Sequence, residues 1–452
     1  MPNSPQSMPQ RNDPRGGTAI ILAMLCCLAL VPMLGLAVDG ANVYLMRNQI
    51  STALNAAVLA GARSLSVGQD LASQTANAQL IATNTFNANI SGMNPNVTTT
   101  LATFQVGPGT LPGSRAVSGS VTANLPLMLM GLLRFTSTQI NVTATAQRRN
   151  VNVILILDHS GAMNDASGFL AMQTDATAFV NQFSNGSDYV GMVTFATGAY
   201  LANPPSQNFQ ASVLANINSL VADSSGSTNT AAALELAYQQ LRALAQPGAL
   251  NVILLFTGAN PGAFTGSDFF PYLTSTSPCN PASGPLPGVI WTTQNQGVGA
   301  LADPAVNSLN DQNENRGPMG CSFDSTNPGR FLNRMASSDV NGFSSAGTYA
   351  PVDLTSFDYN DITSASENVL DNVASSIHSD TNLAPVIYVI GLGGNPWNPP
   401  DPVLMPRIAN DPASSSFNSS APAGQFIYAP TASQLQSAFN NIASQVLHLA
   451  AN

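Results

Sequence analysis

Residues Val151–Leu157 (VNVILIL) are almost wholly apolar and end at Asp158, Ser160 and Gly161. A run of seven is one strand and too short for a helix, and with apolar side chains at successive positions it has no polar face to offer water. Such a strand needs cover on both faces, which points to a parallel sheet with helices on either side. Open sheets of this kind place their ligands beyond the carboxyl ends of the strands, where Asp158 and Ser160 fall.

The rhythm downstream agrees with a doubly wound, mostly parallel α/β sheet. After Val151–Leu157 the pattern predicts a helix over Ala166–Phe183, a strand over Tyr189–Phe195 and an edge strand near Ala199–Leu201. Helices over Phe209–Val221 and Thr230–Leu244 follow, then a strand over Val252–Thr257. Further on come a helix over Ser364–His378, a strand over Val386–Leu392 and a last helix over Ser433–Leu449. Roughly a hundred residues separate Thr257 from Ser364, far more than the few of an ordinary connection. This insertion, 259–363, reads as loop-rich and partly ordered; it holds Phe264, Phe269, Phe270, Tyr272, Trp291, Cys279 and Cys321.

Upstream, Thr18–Val38 is 21 residues without a charge. As a helix it spans roughly 31 Å, the thickness of a bilayer core, so a transmembrane segment is expected. Arg11 and Arg15 precede it and Asp39 follows, which places the N-terminus in the cytoplasm and the bulk of the chain outside the cell membrane. The rival is a cleaved signal peptide, with Gly35 and Ala37 as the small residues of a cleavage site. The apolar run is long for a signal peptide, and Val43, Met46, Ile50, Leu54, Val58 and Leu65 continue one helical stripe. An uncleaved anchor and a stalk forming one helix over 18–63 is therefore the expectation, preceded by a disordered tail, 1–17. Residues 64–150 read as a small α+β module: a helix over Leu71–Asn87 and strands over Val97–Val106, Val117–Leu125 and Gln139–Ala146. Within it LPLMLMGLLRF is either a short helix covering the sheet or a lipid-facing patch.

At 452 residues the chain needs more than one core. Its 13 basic residues are all Arg and face 23 acidic ones, giving a net charge of −10, so nothing in it attracts nucleic acid. Cys26 and Cys27 sit in the apolar run. If the insertion lies outside the cytoplasm, a Cys279–Cys321 disulfide is the natural reading, worth about 4 kcal/mol in the chain-entropy model. An enzyme is disfavoured. His159 stands beside Asp158 and Ser160, but consecutive side chains at a strand end point apart, and a triad draws its members from different elements. His378 and His448 form no zinc-protease spacing, and without Lys there is no phosphate loop of the Walker type. No small-molecule substrate is expected.

The N-terminal stretch, with RGGTAI before the apolar run, AVDGANVYLMRNQ at its exit and QISTALNAAVLAGA after it, resembles the TadE/TadG-like proteins of bacterial Flp pilus (tight adherence) systems. Processed pilins of those systems are cut after a Gly and carry Glu at the fifth mature position. Here that position falls on Leu22 or Ile21, which implies an uncleaved, membrane-retained component. The second half resembles a von Willebrand factor A (VWA) domain through the strand with DHSGA, DYVGMVTFAT, SGSTNTAAALELA, NVILLFTG, VIYVIGLGG, PRIANDPAS and APTASQLQSAFNNIASQV. The likeness covers 151–258 and 364–449, within a domain whose two parts are read as 151–258 and 364–452.

That resemblance implies a metal-ion-dependent adhesion site made from D-x-S-x-S, a later Thr and a later Asp. Asp158, Ser160 and Thr228 match, whereas Ala162 stands at the third position and Thr257 where the Asp belongs. The site reads as degenerate, with no cofactor expected and Mg²⁺ or another divalent cation as the alternative, Asp165 and Asp223 being near enough in sequence to substitute. Together the resemblances imply a membrane-anchored, non-enzymatic component of a pilus or adherence apparatus that binds protein partners. The alternative is an adhesin-type module that meets an external ligand through its insertion.

Overall fold

The computed structural model describes residues 15–66, 70–92, 97–164, 166–266, 288–292, 298–301, 309–310, 335–354, 358–395 and 398–451. These form two compact units. One holds the described residues up to Ser64 with Ala76–Gly107 and Val117–Ala146; the other holds Leu65–Thr75, Pro108–Ala116 and the described residues from Gln147 onward.

The first unit is built on α1 (Arg15–Arg63), a continuous 49-residue helix with Pro32 inside it. This is the single helix expected of anchor and stalk. Among the described residues no helix is long and apolar enough to cross a membrane. Within the expected span Thr18–Val38, the side chains of 18–20, 27–29 and 31 lie outside the described residues. Cys26 is a free, exposed thiol.

Lower on α1 the expected stripe becomes a packed face. Val43 and Met46 are half-buried and Ile50, Leu54 and Val58 fully buried. Ala78, Ala82 and Phe86 of α2 (Leu71–Ile90) are buried as well, and the unit's sheet comprises β1 (Thr98–Thr99), β2 (Thr103–Pro108), β3 (Ser114–Pro126) and β4 (Ser137–Arg149), with Leu54 and Val58 close against Gly119 of β3. β3 lies in the middle, paired with β1, β2 and β4. Its Val117, Val121, Ala123 and Leu125 are buried between outward-facing neighbours, the alternation of a half-covered strand. Gly61 allows the close crossing: a Cβ there would lie 3.1 Å from the Ala78 carbonyl oxygen and 3.2 Å from Val117.

The LPLMLMGLLRF segment joins β3 to β4 and carries a short 3₁₀ turn, Met130–Leu133, which packs on α1. Leu129 stands 3.3 Å from where a Cβ on Gly35 would be. Asp39, one turn further along α1 and 3% exposed, accepts the backbone N–H groups of Met128 (3.0 Å), Leu129 (3.0 Å) and Met130 (2.7 Å). These bonds, Met130's foremost, hold its carboxyl below the usual range against the opposing effect of burial.

The second unit carries a six-stranded sheet in the order β13-β12-β8-β5-β6-β7. Its strands are β5 (Val151–Asp158), β6 (Tyr189–Phe195), β7 (Ala199–Ser206), β8 (Leu250–Thr257), β12 (Val386–Leu392) and β13 (Gln425–Ala429). All pairs are parallel except β6 with β7.

β5 is inner and buried along its whole length. Ile154 and Ile156 face a core shared with α5 (Thr230–Leu244), α6 (Tyr359–His378) and α7 (Leu404–Ile408). Val153, Leu155 and Leu157 face the core of α3 (Ala166–Val180), α4 (Gln210–Ser219) and α8 (Leu435–Ala451). The doubly wound α/β class read from the pattern is thus realised. Asn152, the strand's polar member, bonds to Asn251 on β8 at 2.9 Å.

Boundaries shift where polar local chemistry intervenes. α3 stops at Val180, before the polar turn in which Asp188 accepts the Ser184 N–H. α6 starts at Tyr359 instead of Ser364, set by a capping box of Asp358 and Asp361. β7 runs on to Ser206 through Pro204 and Pro205, which an edge strand with register shifts tolerates.

The described part of the insertion includes an antiparallel sheet, β11-β10-β9, of β9 (Ala263–Gly266), β10 (Gly288–Thr292) and β11 (Val298–Leu301). Phe264 and Ile290, with Met335 and Ala336, enter the α5/α6 core. Cys279, Cys321, Phe269, Phe270 and Tyr272 lie outside the described residues.

Candidate functional site

The carboxyl end of β5 brings together the residues that the sequence singles out. Asp158, Ser160 and Thr257 are wholly buried, and Thr228 is 5% exposed. Asp158 Oδ1 accepts the Ser160 N–H at 2.9 Å. Its Oδ2 accepts the Gly258 N–H at 2.9 Å and lies 3.1 Å from the Thr257 hydroxyl. That hydroxyl has one proton and a second acceptor, the Ala259 carbonyl at 2.8 Å. Burial raises the Asp158 carboxyl above its ordinary range, and the bonds from Ser160, Gly258 and Thr257 pull it back. Thr257 therefore stands where a second carboxylate was expected, and donates to the first.

Ser160 Oγ lies 3.4 Å from Thr228 Oγ1. Ala162, on the 3₁₀ turn Gly161–Met163, brings no oxygen. The adjoining cavity, lined by Ala162, Met163, Gly258 and Gly393, measures about 40 Å³, room for a water molecule and little else. Asp223 sits in the neighbouring loop, whose Gly226 carbonyl accepts the Gly161 N–H at 2.7 Å. Asp223 Oδ1 accepts from Ser225 and Gly226, while Oδ2 is buried without a partner. Asp165 lies outside the described residues.

His159 ties this end of the sheet together. Its N–H donates to the Phe195 carbonyl at 3.0 Å, its carbonyl accepts the Asp223 N–H at 2.7 Å, and Nδ1 lies 3.1 Å from the Val221 carbonyl. Burial lowers its pKa, opposed by the charges of Asp158 and Asp223. The imidazole is thus aimed at Val221, whereas the Ser160 side chain lies near Thr228 and also bonds to the Asp158 carboxyl. His378 closes α6 with Nε2 3.0 Å from the Ile408 carbonyl.

The insertion begins against the same loops. Gly262 and Ala263 donate their N–H groups to the Thr228 carbonyl at 3.0 and 3.3 Å. Sequence reasoning found the side chains of this site. It missed the backbone donors and acceptors that fill it, since Gly258, Gly226 and Gly262 contribute only peptide groups.

Residues 153–260 match the family model described as von Willebrand factor type A domain, and residues 16–64 match the one described as "Putative Flp pilus-assembly TadE/G-like". Both resemblances drawn from the sequence are thereby met, and the second unit has a VWA-like α/β fold. The Escherichia coli (strain K12) protein YfbK is 36% identical over 107 residues, which are 24% of this chain and 18% of that relative's length.

Several solved structures are similar at low identity. The PilB minor pilin from Streptococcus sanguinis is 14% identical, covering 77% of this chain and 79% of its own, with a TM-score of 0.39. The open form of the pilus adhesin SpaC from Lactobacillus rhamnosus GG is 13% identical, covering 78% and 34%, at 0.37. The vWF domain of the type V pili tip protein Mfa5 from Porphyromonas gingivalis is 14% identical, covering 68% and 97%, at 0.37.

Proposed function

We propose that this chain is a membrane-anchored, non-enzymatic component of a pilus-assembly or tight-adherence apparatus, and that its VWA-like unit is a protein-binding platform with a degenerate cation site. One observation carries the reading: a TadE/G-like match over 16–64 and a VWA match over 153–260 lie on a single chain. The uncharged run Thr18–Val38 on the continuous helix α1 supports an anchor, with the bulk of the chain outside the cytoplasm.

The site geometry supports a platform more than a metal centre. Hard cations such as Mg²⁺ want six oxygens at close range, several of them charged. Here Asp158 is held by the chain's own donors, Ser160 and Thr228 supply two buried neutral hydroxyls, and Asp223 leaves one unpartnered oxygen. That set does not fit such an ion. A second reading, an adhesin-type module working through the insertion, is favoured by Gly262 and Ala263 lying on the Thr228 loop, where an exchangeable ligand would otherwise enter.

The anchor is tested by fractionating cells that make the full chain and washing the membranes with alkaline carbonate. The chain stays in the pellet and a variant lacking 18–38 does not; a soluble full chain would overturn the anchor. The apparatus is tested by deleting the gene in a piliated host and viewing the cells by electron microscopy. Loss of surface pili is expected, and undiminished pili would refute the assignment.

A further inference from the structure

A second acidic centre uses none of the side chains of the Asp158 site. One face of α5, carrying Ala231, Ala232, Glu235, Leu236 and Gln239, lines a cavity of about 390 Å³ together with Thr265, Asp339, Val340 and Asn341. Glu235 is only 5% exposed, and its Oε1 is a buried oxygen without a hydrogen-bond partner. Asp339, 2% exposed, arrives on a turn within the insertion. Val340 pins that turn to β9 by donating to the Thr265 carbonyl at 2.9 Å.

The turn is shaped to present one carboxylate oxygen. Asp339 Oδ1 accepts the N–H groups of Asn341 (3.0 Å) and Phe343 (2.7 Å), and Gly342 takes a φ of 91° that favours glycine. The rest of the Asp339 carboxyl lies within hydrogen-bonding range of Glu235, and the Asn341 amide bonds to Glu235 Oε2. Burial, and Asp339 beside it, push the Glu235 carboxyl up to about 9. Among the described residues no basic side chain pairs with either group. At neutral pH such a buried pair carries a proton between its two carboxyls, and a divalent cation can take that proton's place.

We propose that Glu235, Asp339 and Asn341 hold a divalent metal ion that prefers oxygen ligands. Glu235 Oε1 and the Asp339 carboxylate supply the charge, and Asn341 adds its amide oxygen after a flip of that group. Water fills the other positions, for which the cavity has room at about 30 Å³ per molecule. The ion would lock this turn of the insertion onto α5.

The test is calorimetric titration of the EDTA-treated full chain in detergent with Mn²⁺ and Ca²⁺ at neutral pH. One ion binds per chain. E235Q and D339N each weaken binding by about tenfold or more, whereas D158N leaves it unchanged. N341A, which keeps both carboxyls, weakens it less and guards against loss of fold in the charge variants; circular dichroism checks all of them. Absence of binding at millimolar ion overturns the proposal, since the pair would then be joined by a shared proton alone. So does binding that E235Q spares and D158N abolishes.

Discussion

Replacing Asp158 by Ala tests whether the end of β5 is held by hydrogen bonds or kept for a metal. The substitution removes the acceptor of the Ser160 and Gly258 N–H groups, each at 2.9 Å, and of the Thr257 hydroxyl. Thr257 can turn fully to the Ala259 carbonyl at 2.8 Å, so two buried N–H groups are orphaned. Each unsatisfied donor costs about 1–3 kcal/mol. Against that, the variant no longer buries a carboxyl whose protonation burial favours. The net expectation is a loss of about 3 kcal/mol, with D158N in between because its amide oxygen still accepts one N–H. Urea unfolding in EDTA, followed by Trp fluorescence, reads this as a midpoint lowered by about 1 M. If D158A unfolds within about 0.5 kcal/mol of the parent, these bonds hold nothing and the reasoning fails.

In a D339N background, Thr257→Asp places a second carboxylate against Asp158; without cations it lowers the melting temperature, and millimolar Mg²⁺ restores it, whereas D339N alone does not respond. A D339N midpoint that rises with Mg²⁺ contradicts the degenerate site. Gly61→Leu overfills the crossing of α1, α2 and β3 and destabilises the first unit by about 1–3 kcal/mol, seen as faster hydrogen exchange over 76–90 and 117–125. His378 is kept neutral by burial, so its folded pKa lies below the ordinary 6.5. Its contribution is complete above that value and declines as pH falls toward the lower folded pKa, by at most about 1.4 kcal/mol per pH unit. His378→Gln should flatten the pH dependence of the urea midpoint between pH values of about 7 and 5, and an unchanged slope counts against the argument.

Elements with strong internal patterns were legible to the residue. β6, β12 and α5 begin and end where alternation and spacing place them, because burial on both faces or on one stripe leaves few alternatives. β13 was missed: QFIYA is half-buried at the sheet edge and has no run of buried residues to announce it. The sheet β9–β11 was hidden by the Gly, Pro and Ser around it. At the candidate site, Asp158, Ser160, Thr228 and Thr257 were visible because a strand end concentrates polar side chains. What they do there depends on peptide groups at Gly258 and Gly262, which leave no signature in side-chain chemistry. Glu235 and Asp339 escaped notice because one looks like an ordinary surface residue of a helix and the other like an ordinary turn.

The bond network at Asp39 also sets an order of events during synthesis. Its three donors, Met128 to Met130, follow it by some ninety residues. At roughly 5–20 residues per second the ribosome delivers them about 5–20 s after Asp39 itself. Throughout that interval the aspartate is a negative charge midway along α1 without its three donors, and only later does it become the buried clasp of the β3–β4 connection. The fastening therefore waits on the sheet: α1 can form first, but this clasp closes only once the end of β3 has been made.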